Sequence, residues 1–125
     1  MGRVRENIEV QGQPRWTLFD SGARNTYVTP DVAANLVQWE LRERQPTALG
    51  GRTHQVGRMC ALEAKIQGRW VQTHARIVDE IGKDDHDQPI EIIFGALAMK
   101  EWGIELDLQR ERVDMTYYPQ EIVEF

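Results

Sequence analysis

Alternation of apolar and polar residues is the dominant pattern in this chain, and it constrains the fold more than any other feature. An apolar residue at every second position is the period of a strand with one buried face. Polar turn residues separate the alternating stretches, as in GQP at 12–14. These stretches are 4–10, 37–41, 60–66, 71–77, 104–108 and 113–117. Many short strands at short spacing predict an all-β domain that forms a small closed barrel or a sandwich.

Helical signals are few and short. The Thr-Pro-Asp sequence at 29–31 is typical of a helix start, with an N-cap residue, a first-turn proline and a first-turn acid. The segment ALAMKEW at 96–102 can form about two helical turns, and Gly103 follows it as a C-terminal cap. Two polar segments, 46–57 and 81–89, are typical of loops.

Size and charge narrow the possible classes of function. The 125 residues fit one domain, expected over 1–125. A net charge of −5 and a pI near 5.2 argue against nucleic acid or an anionic membrane as a partner. The chain shows neither a signal peptide nor about 20 consecutive apolar residues, so a cytoplasmic protein is expected. Cys60 is the only cysteine, which excludes an intrachain disulfide and a cysteine zinc site, and no cofactor is expected.

The segment WTLFDSGA at 16–23 places a carboxylate, Asp20, at the end of an apolar strand. Asp, Ser and Gly are ordinary turn residues, so the triplet alone is typical of a turn. A second apolar run meets a small-residue turn in IIFGALAM at 92–99, and both runs precede a short helical signal. A strand, a turn and a helix thus occur twice in the same order, which suggests that one half of the domain repeats the other. Asp20 is then a candidate catalytic acid that its strand holds rigidly.

These stretches resemble the retropepsin-like aspartic proteases, the single-domain family of retroviral proteases and their cellular and bacterial relatives. WTLFDSGARNTYVTPDVA is similar to the family's catalytic strand and loop, and IEIIFGALAMKEWGIELDLQRERVDM to its later strand, C-terminal helix and closing strands. The segment ALGGRTHQVGR lies where the family carries its flap hairpin. The resemblance covers about Val4 to Met115. It implies a closed β-barrel with one short C-terminal helix, a second short helix being possible.

The resemblance implies an aspartic endopeptidase that is a homodimer and acts on a peptide or protein substrate. Hydrolysis by this route needs two carboxylates that share one proton, and the chain has one Asp-Ser-Gly motif. Asp20 of each subunit would therefore form a dyad across a two-fold axis. The catalytic residues would be Asp20, Ser21 and Gly22, with Ser21 bracing the dyad through interchain hydrogen bonds.

The substrate-binding residues implied by the resemblance lie in two segments. Ala23 and Arg24 follow the catalytic triplet, and a flap around Leu49, Gly50 and Gly51 would close over the peptide. Retroviral members usually have an acid shortly after the motif, paired with an arginine on the C-terminal helix. Here Arg24 and Asn25 stand where that acid would be, so the sequence lacks the acidic partner of the family's intrasubunit salt bridge.

Three alternatives stay open at this point. The same fold could be a catalytically inactive module for dimerisation or peptide binding, or the chain could be an unrelated small β-barrel that binds a ligand in its lumen. A third alternative concerns KDDHD at 83–87, whose carboxylates could hold a cation; acidic loops are more often solvated, and no metal is expected. A nucleophilic role for Ser21 is not supported, because the glycine two residues before it is missing.

Overall fold

A computed structural model describes residues 2–124 as nine strands and two short helices. The strands are β1 (Arg3–Val10), β2 (Gln13–Asp20), β3 (Thr26–Val28), β4 (Gln38–Leu49), β5 (Arg52–Ile66), β6 (Arg69–Ile77), β7 (Ile92–Phe94), β8 (Glu105–Asp107) and β9 (Arg112–Asp114). The helices are α1 (Pro30–Ala33) and α2 (Ala96–Glu101). The alternating segments of the sequence thus form strands, as predicted.

Seven strands form one sheet that closes on itself. Their order is β1-β2-β7-β3-β6-β5-β4, and an additional pairing of Glu9 with Lys65 joins β1 to β5. The sheet is therefore a barrel-like ring with β4 paired to its outside edge, and β8 and β9 form a separate hairpin. The predicted all-β closed barrel with two short helices is confirmed.

The interior of the ring is filled by the apolar side chains that point to one face of each strand. Val4, Ile8 and Val10 of β1 are buried there, as the alternation predicts, and Phe19 and Phe94 are fully buried with their ring centroids 5.2 Å apart. Such burial of aliphatic and aromatic side chains is the main stabilising contribution in a domain of this size. It also immobilises the two strands, β2 and β7, that lead to the candidate site.

Both helices begin where the sequence predicts. Pro30 occupies the first turn of α1, as expected. Thr29 is the N-cap residue by its backbone position, but its side chain makes no capping hydrogen bond. At the end of α2, Gly103 has a φ of 66°, and the Ile104 N–H donates to the Met99 carbonyl at 2.8 Å. A left-handed residue is what such a helix end requires, and glycine adopts it without strain.

Three expectations about strands and loops are wrong. Segment 46–57 is not a loop: it is the outer part of the β4–β5 hairpin, with only Gly50 and Gly51 in the turn. Val37 precedes β4 and is 72% exposed, because the chain is still turning out of α1 there. The alternating stretch 113–117 forms a strand only as far as Asp114: residues 115–124 contain no strand, and Phe125 lies outside the described residues.

The acidic loop at 81–89 is not simply solvated. The Asp84 side chain is fully buried, and its carboxylate accepts hydrogen bonds from the backbone N–H groups of Gln88 (3.0 Å) and His86 (2.9 Å) and from the Trp16 indole N–H (2.8 Å). These bonds, the one from Gln88 first, lower the pKa of Asp84 because they stabilise its charged form. Asp84 therefore ties the loop to β2.

No helix among residues 2–124 is long and apolar enough to cross a membrane.

Cys60 lies in the barrel interior with no exposed surface, as its parity in β5 predicts. Burial raises the pKa of its thiol to about 11. Because the thiolate is the reactive form, we expect a thiol reagent at mildly alkaline pH to modify the folded chain at least about 100-fold more slowly than the unfolded chain. Measuring the reaction rate with and without denaturant checks this, and similar rates in both states would contradict it.

Candidate active site

Asp20 stands at the end of β2 because two apolar strands lie side by side. β2 pairs in parallel with β7, with Leu18 opposite Ile93 and Phe19 opposite Phe94. The two segments that the sequence suggests as a pseudo-repeat are therefore neighbours, and each leaves the sheet in the same direction. Asp20 is 8% exposed, so its carboxylate is held by buried surroundings and still reaches the surface.

A tight turn fixes the Asp20 carboxylate. The Gly22 N–H donates to Asp20 Oδ1 at 2.8 Å, and the Ala23 N–H donates to the Asp20 carbonyl at 3.1 Å. A carboxylate oxygen that accepts a backbone N–H keeps its plane fixed, and this is the rigidity a general acid or base needs. Residues 20–25 are called the aspartate loop below.

The aspartate loop rests on the start of α2. The Ala96 N–H donates to the Ala23 carbonyl at 2.7 Å, and the Leu97 N–H donates to the Arg24 carbonyl at 3.1 Å. One residue earlier, the Gly95 N–H donates to the Thr26 hydroxyl at 3.1 Å. The small-residue turn at Gly95 therefore lets α2 support the loop that carries Asp20.

The first described residues, Gly2 and the start of β1, also touch the aspartate loop. The Gly2 N–H donates to Ser21 Oγ at 2.9 Å, and the Gly2 carbonyl accepts from the Ser21 N–H at 3.0 Å and from the Ser21 hydroxyl at 3.2 Å. Arg3 lies opposite Asp20 in the β1–β2 ladder, and its Nε is 3.4 Å from Asp20 Oδ2. Within one subunit, the Ser21 hydroxyl is thus bonded to Gly2, and one Asp20 carboxylate oxygen is paired with Arg3.

The outer part of the β4–β5 hairpin, residues 45–56, is called the distal hairpin. Its residue pairs Gln45–Val56, Thr47–His54 and Leu49–Arg52 lie directly opposite each other and so share one face. That face points inward, since Val56 is fully buried, whereas Pro46, Ala48, Thr53 and Gln55 on the other face are exposed.

A second apolar cluster, separate from the barrel interior, joins the distal hairpin to the aspartate loop. Ala23 of the loop and Leu49 at the hairpin tip both pack on it. Its buried members are Leu18, Tyr27, Val56, Val78, Ile90 and Ile93. Ala23 and Leu49 are two of the residues that the resemblance implies for substrate binding, and they lie in distant segments of the sequence. The fold brings both to one apolar cluster beside Asp20.

The remaining predicted site residues lie at the surface. Gly50 and Gly51 form the hairpin turn with φ of 55° and 82°, and a side chain at either position would meet open space. Ser21, Gly22 and Arg24 are exposed on the aspartate loop. The residues described contain no group of three or more His, Cys, Asp or Glu that could hold a metal ion. A surface cavity of about 660 Å³ between β5, β6 and α2 is lined by none of the predicted site residues.

Sequence reasoning missed Arg3, Thr26 and most of the second apolar cluster. The sequence does contain a feature that indicates the position of Arg3. A two-residue turn at Gln11–Gly12 sets the register of the β1–β2 pair so that Arg3 lies opposite Asp20. The Thr26 contact with Gly95 and the cluster itself join segments far apart in sequence, and no local pattern announces them.

The fold resembles those of solved retroviral-type proteases. The structure superimposes on the retroviral protease-like domain of Ddi1 from Leishmania major with a TM-score of 0.65 and 15% identity, over 93% of this chain and 90% of that one. EIAV protease in complex with an inhibitor matches with a TM-score of 0.55 and 22% identity, over 86% of this chain and 94% of that one.

A third match is the foamy viral protease-reverse transcriptase in complex with an RNA/DNA hybrid, with a TM-score of 0.54 and 13% identity. It covers 98% of this chain but 13% of that much longer one. No protein-family model matches the sequence, and no curated protein matches it either. The chain therefore has the retropepsin-like fold, as the sequence predicts.

Proposed function

We propose that this chain is an aspartic endopeptidase whose active site forms between two identical subunits. The observation that carries the proposal is the position of Asp20: an Asp-Ser-Gly turn at the end of a buried strand in a retropepsin-like fold, with the carboxylate fixed by the Gly22 N–H at 2.8 Å. A simple turn would not need an aspartate that is 8% exposed.

The chemistry needs two carboxylates that share one proton. The ionised Asp20 removes a proton from water, whose oxygen attacks the scissile carbonyl carbon, while the protonated Asp20 of the other subunit donates its proton to the carbonyl oxygen. The tetrahedral gem-diol intermediate then collapses: the C–N bond breaks, the amine nitrogen takes the proton of the dyad, and the ionised carboxylate takes a proton from one gem-diol hydroxyl, so that a carboxylic acid forms and the dyad again holds one proton. Such a pair titrates as a unit.

A second copy of the chain is the source of the second carboxylate in this proposal. The sequence has one Asp-Ser-Gly motif, and the ion-pair partner of Asp20 within residues 2–124 is Arg3 alone. Two large apolar side chains next to the aspartate loop are 53% exposed: Leu97, whose N–H bonds to Arg24, and Leu108, which packs on Gly2. Exposed apolar groups beside an incomplete site favour a subunit interface there.

The distal hairpin would act as the flap over a bound peptide. Its tip at Leu49 already packs on the same cluster as Ala23, and Gly50 and Gly51 leave the turn free of side chains. The Ala23 N–H and carbonyl are both bonded within the chain. Among residues 2–124, no hydrogen bond uses the Gly22 carbonyl or the Arg24 N–H, so these are the groups we assign to an extended peptide.

Subunit mixing tests the shared site. A fixed amount of wild type is incubated with a ninefold excess of the Asp20→Asn variant, allowed to exchange subunits, and assayed on a peptide mixture by mass spectrometry. Because only about one wild-type subunit in ten then has a wild-type partner, we expect activity to fall about tenfold. The same excess of serum albumin is the control and should have no effect.

Other outcomes separate the alternatives. Undiminished activity after complete exchange would contradict the shared dyad, and a monomer that cleaves would do the same. Absence of cleavage by a well-formed wild-type dimer over a broad pH range would favour the inactive dimerisation or peptide-binding module instead.

A further inference from the structure

The distribution of arginine pairing is uneven over the described structure. The chain has twelve arginines, and seven of them lie within 4.0 Å of a carboxylate oxygen of residues 2–124. The other five form no such pair within that range: Arg24, Arg42, Arg44, Arg69 and Arg76. In a chain with 20 acidic residues and a net charge of −5, arginines without a carboxylate partner are the exception.

Three of these five arginines lie next to members of the second apolar cluster, along the chain or across a strand ladder. Arg24 directly follows Ala23, which packs on the cluster, and Arg42 directly follows Leu41, which does so too. Arg76 lies opposite the buried Tyr27 in the β3–β6 ladder.

Arg76 also meets the inward face of the distal hairpin, because its Nε donates to Gln45 Oε1 at 3.2 Å. Arg44 precedes Gln45 and lies against Gly57, so its side chain is on the opposite face of the hairpin. Arg42 lies in the irregular segment 41–44 of β4, where the register shifts. Guanidinium groups without a carboxylate partner among the described residues thus adjoin the cluster at the aspartate loop and beside the distal hairpin.

The acidic side chains of the same region neutralise only part of this charge: Asp79, which follows Val78 of the cluster, is exposed and forms no ion pair among the described residues. Glu80 is paired with Arg52 at 3.2 Å and Glu40 with Arg58 at 3.4 Å. Glu43 stands between Arg42 and Arg44 in sequence and forms no ion pair among the described residues. The β4–β5 hairpin from 38 to 58 carries four arginines and two glutamates, so its charge is opposite to that of the whole chain.

We propose that the site selects extended peptides with apolar residues at the centre and acidic residues on the flanks. The inference rests on the proposed function for the position of the peptide. Apolar side chains would pack against the partly exposed residues of the second apolar cluster, such as Ala23 and Leu49. Carboxylates further along the peptide would meet Arg24 near the aspartate loop and Arg42 or Arg76 near the distal hairpin. Guanidinium groups bind carboxylates with paired hydrogen bonds, which gives direction as well as attraction.

Binding is measured apart from cleavage so that the two ideas can fail separately. Three fluorescent peptides share one apolar centre and carry Glu, Gln or Lys on the flanks, and their affinities are measured by anisotropy with the Asp20→Asn variant. We expect the Glu peptide to bind at least about tenfold more tightly than the Lys peptide, with a smaller difference at high salt. The kcat/KM values of the wild type should follow the same order.

Matched variants assign the effect to residues. Arg24→Gln and Arg76→Gln, each made in the Asp20→Asn background, should reduce the preference for the Glu peptide by about threefold or more. Arg69→Gln is the control, because Arg69 also lacks a carboxylate partner among residues 2–124 but lies over the Tyr118 ring, away from the cluster. It should leave the preference unchanged.

Equal affinity for the three peptides, or tighter binding of the Lys peptide, would overturn the inference. An equal effect of Arg69→Gln and Arg24→Gln would also overturn it, because net charge alone would then explain the preference. A charge preference in binding without any cleavage by the wild type would instead refute the proposed endopeptidase and leave the acidic preference standing.

Discussion

Replacing Asp20 by Asn is expected to lower kcat/KM for peptide cleavage by at least about 1,000-fold, because the substitution removes both carboxylates of the proposed dyad at once. The amide can neither remove a proton from water nor share one with its partner. It keeps the shape of the side chain, and its oxygen can still accept the Gly22 N–H that now bonds to Oδ1 at 2.8 Å. The measurement is steady-state cleavage of a peptide that the wild type turns over.

The fold should survive this substitution. Asn at position 20 removes the ion pair with Arg3, whose side chain is 60% exposed, and such pairs contribute at most about 1 kcal/mol to the free energy of unfolding. Asp85→Asn is the matched control, since it makes the same chemical change at a side chain that is 82% exposed, and it should retain wild-type activity. Cleavage by Asp20→Asn within about tenfold of wild type would refute the catalytic assignment.

Replacing Gly95 by Ala is expected to lower the free energy of unfolding by about 3 kcal/mol or more and to abolish activity. A Cβ atom at Gly95 would overlap the Asn25 carbonyl oxygen and lie 2.9 Å from that of Arg24, so the backbone itself would have to move. That movement would break the bonds by which α2 supports the aspartate loop, Ala96 N–H to Ala23 and Leu97 N–H to Arg24.

Denaturant unfolding measures this cost, and Gly57→Ala supplies the comparison. At Gly57 an added Cβ would meet nothing closer than 3.7 Å, and its backbone is not left-handed, so little destabilisation is expected. The rate at which Cys60 reacts with a thiol reagent is a second measure of stability, because Cys60 lies in the barrel interior and reacts only when the barrel opens. Equal stability of the two variants would show that the packing between β7, α2 and the aspartate loop is not tight.

Local sequence patterns predicted most of the strands because a buried face leaves an alternation that needs no knowledge of the partner strand. Val4, Ile8 and Val10 are buried as their parity requires, and Gly103 ends α2 with a positive φ. The errors lie where burial is partial. The distal hairpin has polar residues on both faces, so its sequence is typical of a loop although its strands are paired.

Asp84 shows why acidic residues in a loop were misjudged. Its neighbours in sequence are polar, yet its carboxylate bonds to the Trp16 indole from another strand and is fully buried. A charge can be buried only where donors satisfy it, and whether donors are present depends on contacts across the fold. The same reason hid the Thr26 hydroxyl that accepts the Gly95 N–H.

The sequence by itself determined most of the strands and the presence of one Asp-Ser-Gly turn per chain, since these follow from period and composition. Only the tertiary structure decided that IIFGALAM lies beside WTLFDSGA, that Leu49 and Ala23 pack on one cluster, and that Arg76 lies opposite Tyr27 of that cluster. Those are contacts between distant segments, and their geometry is set by the closure of the whole sheet.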